Sequence, residues 1–99
     1  MKKIDFSKIV VKDIDGNDYM VPVKSGGLVP YDFAKQVGNG LFYMGKDIRI
    51  SEIGQRIYHH EEVELTDEEI TVVREFIDSN FVPFVRLSVN PQLDKMLAK

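Results

Sequence analysis

Two short runs rich in β-branched residues, Lys8-Ile9-Val10-Val11-Lys12-Asp13-Ile14 and Asn17-Asp18-Tyr19-Met20-Val21-Pro22-Val23, flank Asp15-Gly16 near the start of the chain. Branched side chains suit a pleated surface and Asp-Gly suits a tight reversal, so the pattern predicts a β-hairpin. Parity sets its register. A two-residue loop would place Asp13 opposite Asp18, whereas a three-residue loop at Ile14-Asp15-Gly16, with Gly16 left-handed, pairs Val11 with Tyr19, Ile9 with Val21 and Lys12 with Asp18. The second register avoids facing like charges and gathers the apolar side chains on one face. Pro22 has no amide hydrogen, so the second strand is expected to be an edge there or to stop pairing.

Helical spacing takes over after Ser25-Gly26-Gly27, which reads as a flexible break. Phe33, Val37, Leu41 and Met44 recur at helical intervals behind Asp32, predicting a helix over 32–44 that Gly45 ends in the left-handed conformation. Ser51 is the expected cap of a second helix reaching about His59, with Ile53 and Ile57 one turn apart and Gly54 weakening it. Val63 and Leu65 alternate with Glu62 and Glu64, a short extended segment at 62–65 able to add a third strand to the hairpin. Thr66-Asp67-Glu68-Glu69 has the form of a capping box and opens a helix over 67–79 with Ile70, Val73, Phe76 and Ile77 on its apolar face. Pro83 either kinks a continuing helix or starts a new one, and Asn90-Pro91 reads as the start of a final helix through Leu93, Met96 and Leu97. The predicted architecture is α+β: an N-terminal β-hairpin packed against three to four α-helices in a single domain, 1–99.

Composition narrows the function classes. A hydrophobic share of 43% with 29% charged residues is ordinary for a folded domain, and 99 residues leave no room for two independent cores. No apolar block has the length of a signal peptide or membrane span, and the expected location is the cytoplasm. The absence of cysteine removes disulfides, thiolate metal sites and cysteine nucleophiles. Residues 1–60 carry nine Lys and Arg against seven Asp and Glu, and residues 61–99 carry four against nine. The surplus of positive charge in the first part is too small for a phosphate-binding face, so nucleic acid is disfavoured; a regulator contacting it through Lys2, Lys3, Lys46, Arg49 and Arg56 is the alternative reading.

Little in the chain carries reaction chemistry. Asp13-Ile14-Asp15-Gly16-Asn17-Asp18 is rich in oxygen ligands, but an EF-hand loop needs glycine sixth and a bidentate acid twelfth, where this chain has Asp18 and Lys24. These are turn residues. His59 and His60 are the only histidines and stand beside Glu61-Glu62. Adjacent helical residues point about 100° apart, so they lack the i, i+4 spacing that shares a metal; a helix-end role is expected, with a metal site at His59 and His60 as the alternative. Gly38-Asn39-Gly40 either permits close backbone packing or breaks the first helix. No serine sits in a nucleophile-elbow motif, and the expectation is a non-enzymatic protein without cofactor. The segment Phe81 to Leu97 is more apolar than one helix face hides. It either closes the core or presents Phe81, Phe84 and Leu87 to a protein partner or a second copy.

The run from Lys3 to Asn17, together with Val37-Gly38-Asn39-Gly40-Leu41 and Ile57-Tyr58-His59-His60, resembles small proteins of Bacteroides-type prophages and mobile elements. The resemblance implies no activity, cofactor or catalytic residue. It favours a phage-structural, assembly or accessory role over a metabolic one.

Overall fold

The computed structural model describes residues 1–98. Among the described residues four α-helices and two small antiparallel sheets make a mixed α+β fold. The chain begins with β1 (Lys2–Ile4), makes a 3-10 turn over Phe6–Lys8, and forms the hairpin β2 (Met20–Pro22) and β3 (Leu28–Pro30). Helices α1 (Phe33–Met44) and α2 (Ile48–Tyr58) follow, then β4 (Val63–Leu65), α3 (Asp67–Asn80) and α4 (Pro83–Leu97).

The first turn forms as parity requires. Lys12 and Asp18 are bridged, the Asp13 amide donates to the carbonyl of Asn17, and Gly16 lies at φ 83°. The ladder stops there. The Asp5 side chain accepts from the Ser7 amide and winds Phe6–Lys8 into the 3-10 turn, so no extended partner remains beyond Ile9. Tyr19 donates its amide to Val11 and accepts at its carbonyl from Tyr31, which hands the chain from one partner to another. Val21 therefore pairs with Val29, and not with Ile9.

Ser25-Gly26-Gly27 corrects a second expectation: it is the reversal of the β2–β3 hairpin. The Val23 amide bonds the Gly27 carbonyl, the Gly26 amide bonds the Val23 carbonyl, and Gly26 sits at φ 92°. The strand at 63–65 exists with its apolar residues buried, but its partner is β1, with Ile4 opposite Val63 and Lys2 opposite Leu65.

Outward-facing groups of the segment after the 3-10 turn are satisfied by α4 in place of a strand. Gln92 receives the Val10 amide at 3.0 Å and donates to the Val10 carbonyl at 2.7 Å, while the Ser88 hydroxyl accepts from the Lys12 amide at 2.9 Å. Residues 88 and 92 stand one turn apart on one face, so the helix covers a backbone edge that would otherwise be open.

Helix starts follow local capping chemistry. Asp32 caps α1 through the Lys35 amide, and Thr66 and Glu69 complete the capping box of α3. The second helix begins earlier than expected: Asp47, not Ser51, is the cap, accepting from the Ile50 amide, and Ser51 instead donates to the Phe42 carbonyl. Gly45 ends α1 with an extended backbone, φ −62° and ψ 138°, contrary to the left-handed expectation, because the chain turns directly toward Asp47. Pro83 starts a new helix, and Asn90-Pro91 does not; α4 runs through Pro91 to Leu97. Leu87 and Pro91 are both exposed, so the carbonyl that Pro91 leaves without a donor lies on the side open to water.

The two central helices pack at backbone contact. A Cβ at Gly38 would stand 2.7 Å from the Gly54 carbonyl oxygen, so Gly38 and Gly54 serve close approach, and α1 continues unbroken through Gly38-Asn39-Gly40. Around this contact lies the core: Ile4, Phe6 and Val11 from the N-terminal segment, Phe33, Val37 and Leu41 from α1, Ile53 and Ile57 from α2, Leu65, Val73 and Ile77, and the α4 row Val85, Val89 and Leu93.

Candidate interaction surface

The residues of the segment 81–97 singled out by their apolar character part company. Phe81, at the end of α3, turns inward, with its ring 5.2 Å from Phe33 and 6.4 Å from Phe76. Phe84 lies half open, edge-on to Tyr19 at 5.1 Å, and Leu87 is 76% exposed. The row Val85, Val89, Leu93 closes the core, and the rows on either side of it do other work. Ser88 and Gln92 hold the N-terminal segment. Leu87 faces water.

Phe84 leads to the hairpin. Its partner Tyr19 also stands 5.6 Å from Tyr31, so three rings gather where β2 and β3 leave the body. Partial burial, with Tyr19 nearby, pushes the Tyr31 hydroxyl above its ordinary pKa. Among the described residues no other helix or strand packs extensively on β2 or β3, and the rings are the anchor of a projecting arm.

The hairpin's two faces follow from its hydrogen bonds. Bonds at Val23 to Gly27 and at Tyr31 to Tyr19 make the odd-numbered pairs the hydrogen-bonded ones. Met20 opposite Pro30 and Pro22 opposite Leu28 are the alternate pairs, and their four side chains share one face. Met20 is 40% exposed and Leu28 63%, and both prolines are exposed. The other face carries Tyr19, Val21, Val29 and Tyr31. Neither Tyr19 to Val23 nor Leu28 to Tyr31 contains a charge. Two-sided sheets in water ordinarily alternate apolar with polar positions, so a hairpin apolar on both faces has one face more than the anchor requires.

A concavity lies at the far end of α1 from the arm. A groove of about 660 Å³ runs between the α1–α2 corner and α3, with Leu41, Met44, Ile50, Val72 and Phe76 among its apolar walls and Glu68 and Glu75 along its α3 side. Arg49 crosses its rim, donating to Glu69 at 2.8 Å and to the Glu64 carbonyl at 3.2 Å. The Arg49 hydrogen bond holds the Glu69 carboxyl below its ordinary value against an opposing effect of burial, with the Thr66 amide adding to it.

The histidines go separate ways. His60, at φ 62°, brings its Nε2 within 2.7 Å of Asp32, the cap of α1, and His59 lies edge-on to Tyr58 at 5.2 Å. Among the described residues no three His, Cys, Asp or Glu side chains come together as a metal site. Of the five cations proposed for nucleic acid, Lys3 faces Glu64 at 3.8 Å and Arg49 is held by Glu69. No helix among the described residues is long and apolar enough to cross a membrane. No protein-family profile, curated protein or solved structure matches this chain.

The surface missed by reasoning on α4 alone is the hairpin face of Met20, Pro22, Leu28 and Pro30. Its signal is present in the sequence as apolar residues on both parities of each strand.

Proposed function

We propose that this chain is a non-enzymatic assembly module of the cytoplasm whose β2–β3 arm, with Phe84 and Leu87 beside its base, binds a protein. The observation that carries this reading is the exposed apolar face of Met20, Pro22, Leu28 and Pro30 on an arm anchored through its opposite face. Exposed apolar patches rimmed by polar residues mark sites of association. The resemblance to small prophage proteins favours the same class of role.

Photocrosslinking tests it. A photoreactive phenylalanine analogue at Leu28 is expected to give a discrete adduct in the native cells that Met20→Ser reduces, while the same analogue at the exposed Lys8 gives none. Equal adducts from both positions, or none from Leu28, would overturn the reading.

A further inference from the structure

The arm and the groove lie at opposite ends of α1. Tyr31, at the base of the arm, immediately precedes the α1 cap Asp32, whereas Leu41, Met44 and Gly45 line the groove. Nine helical residues, about 13 Å, separate Asp32 from Leu41, and no residue of the arm lines the groove of its own chain. Their chemistries match. The arm is apolar along its strands and carries Lys24 at its reversal, with no ion pair among the described residues. The groove has an apolar floor, and its charged lining of Lys46 and Arg49 against Asp47, Glu68, Glu69 and Glu75 is net negative. Glu69 is engaged by Arg49, whereas Glu68 and Glu75 have no ion pair among the described residues. They line the groove two turns apart on α3.

We infer that the occupant of the groove is the arm of a second copy of this chain, joined head to tail, with Leu28 and Met20 against the apolar floor and Lys24 beside Glu68 and Glu75. The inference rests on the reading of the arm as a binding element and names its partner. A contact between two different surfaces of one chain leaves an arm and a groove unfilled at the ends of every pair, so it repeats until it closes as a ring or extends as a filament. Charge at the edge of such a contact fixes partner choice, because like charges brought together there oppose association.

Sedimentation equilibrium across a concentration series tests this with exposed-site charge reversals. The wild-type mass is expected to rise with concentration. Lys24→Glu alone, and Glu68→Lys with Glu75→Lys, are each expected to weaken association about tenfold or more. An equimolar mixture of the two variants restores it, since each arm then meets a groove of opposite charge. Circular dichroism confirms that the variants remain folded. A wild-type chain that stays monomeric overturns the inference, as does a dimer indifferent to both reversals, the behaviour expected if two arms met face to face. A monomeric chain whose Leu28 crosslink still yields a heavier adduct with a different protein removes the second copy but leaves the arm as a binding element. A monomeric chain with no adduct removes both.

Discussion

At Gly38 two effects of opposite sign meet on one methyl group. In a solvent-exposed helix interior, replacing glycine by alanine stabilises by about 0.5–1 kcal/mol, because the chain has less backbone freedom to lose. In the folded protein the new Cβ of Gly38→Ala would lie 2.7 Å from the Gly54 carbonyl oxygen and 2.7 Å from the Tyr58 Cα, and closer still to the Tyr58 amide nitrogen. All three are backbone atoms. No rotamer change relieves the overlap, so α1 and α2 must move apart and loosen the packing of Val37, Leu41, Ile53 and Ile57. Overpacking of this kind costs about 1–3 kcal/mol, and subtracting the propensity gain from the middle of that range leaves a net loss of about 1 kcal/mol. At roughly 4–8 °C per kcal/mol for a domain of this size, Tm should fall by about 4–8 °C. Gly27→Ala is the control, since nothing lies within 4 Å of its added Cβ and its φ is outside the left-handed range. Its stability should stay within about 0.5 kcal/mol of the parent. Urea titration followed by circular dichroism reads both, compared at unchanged m value. A Gly38→Ala variant as stable as the parent, or more so, would show that helix propensity outweighs the backbone contact and would refute the argument.

Two other predictions concern bonds that the fold depends on. Gln92→Leu removes both bonds to Val10 and should destabilise by about 1–2 kcal/mol, with faster hydrogen exchange at the Val10 amide; unchanged exchange would show that Gln92 is dispensable there. At Glu69 the folded-state pKa is lowered, so its stabilising effect is complete above the unfolded value of about 4.3 and is lost as pH falls through the lower folded value. Glu69→Gln should therefore flatten the acid limb of the stability profile, and an acid limb identical to that of the parent would contradict the Arg49 assignment.

What was legible in the sequence is what local chemistry decides. The Asp13–Gly16 reversal, the Asp32 cap and the Thr66–Glu69 capping box each involve residues within four positions of one another, and each forms as its residues require. Strand partners beyond that first reversal were not legible. Val21 had two apolar candidates, Ile9 and Val29, and the choice turned on Asp5 curling the chain ahead of Ile9, a weak signal in Asp5-Phe6-Ser7. The nearer partner also closes the shorter loop, which is entropically the easier one. Asp47 and Ser51 are both acceptable caps by type, and packing of Ile50 into the core favours the earlier start. At Pro91 the rule that Asn-Pro opens a helix gave way because the buried row Val85, Val89, Leu93 runs through it without interruption. The candidate site divided in the same manner. The surplus of apolar residues over 81–97 marked the segment, but only the tertiary fold separated Phe81, which is packed among rings, from Leu87, which is not.

On the proposed reading of the arm as a binding element, its two prolines restrict the kind of partner. A two-stranded hairpin has two open edges, and an extended chain commonly binds such edges by adding a strand. In this arm the hydrogen-bonded pairs are odd-numbered, so the nitrogens of Pro22 and Pro30 point outward, one on each edge. Each edge thus lacks a donor where an added strand would need one, and neither proline disturbs the ladder between β2 and β3. Strand addition is discouraged on both sides while the face of Met20, Pro22, Leu28 and Pro30 stays open. Recognition then depends on side-chain fit against a concave surface and on the charge at the arm's tip. Those requirements are more selective than backbone hydrogen bonding, which any extended segment can supply. The same arrangement lets an apolar arm remain exposed without inviting unspecific sheet extension, and on the proposed reading its counterpart is a groove with an apolar floor and acidic margin.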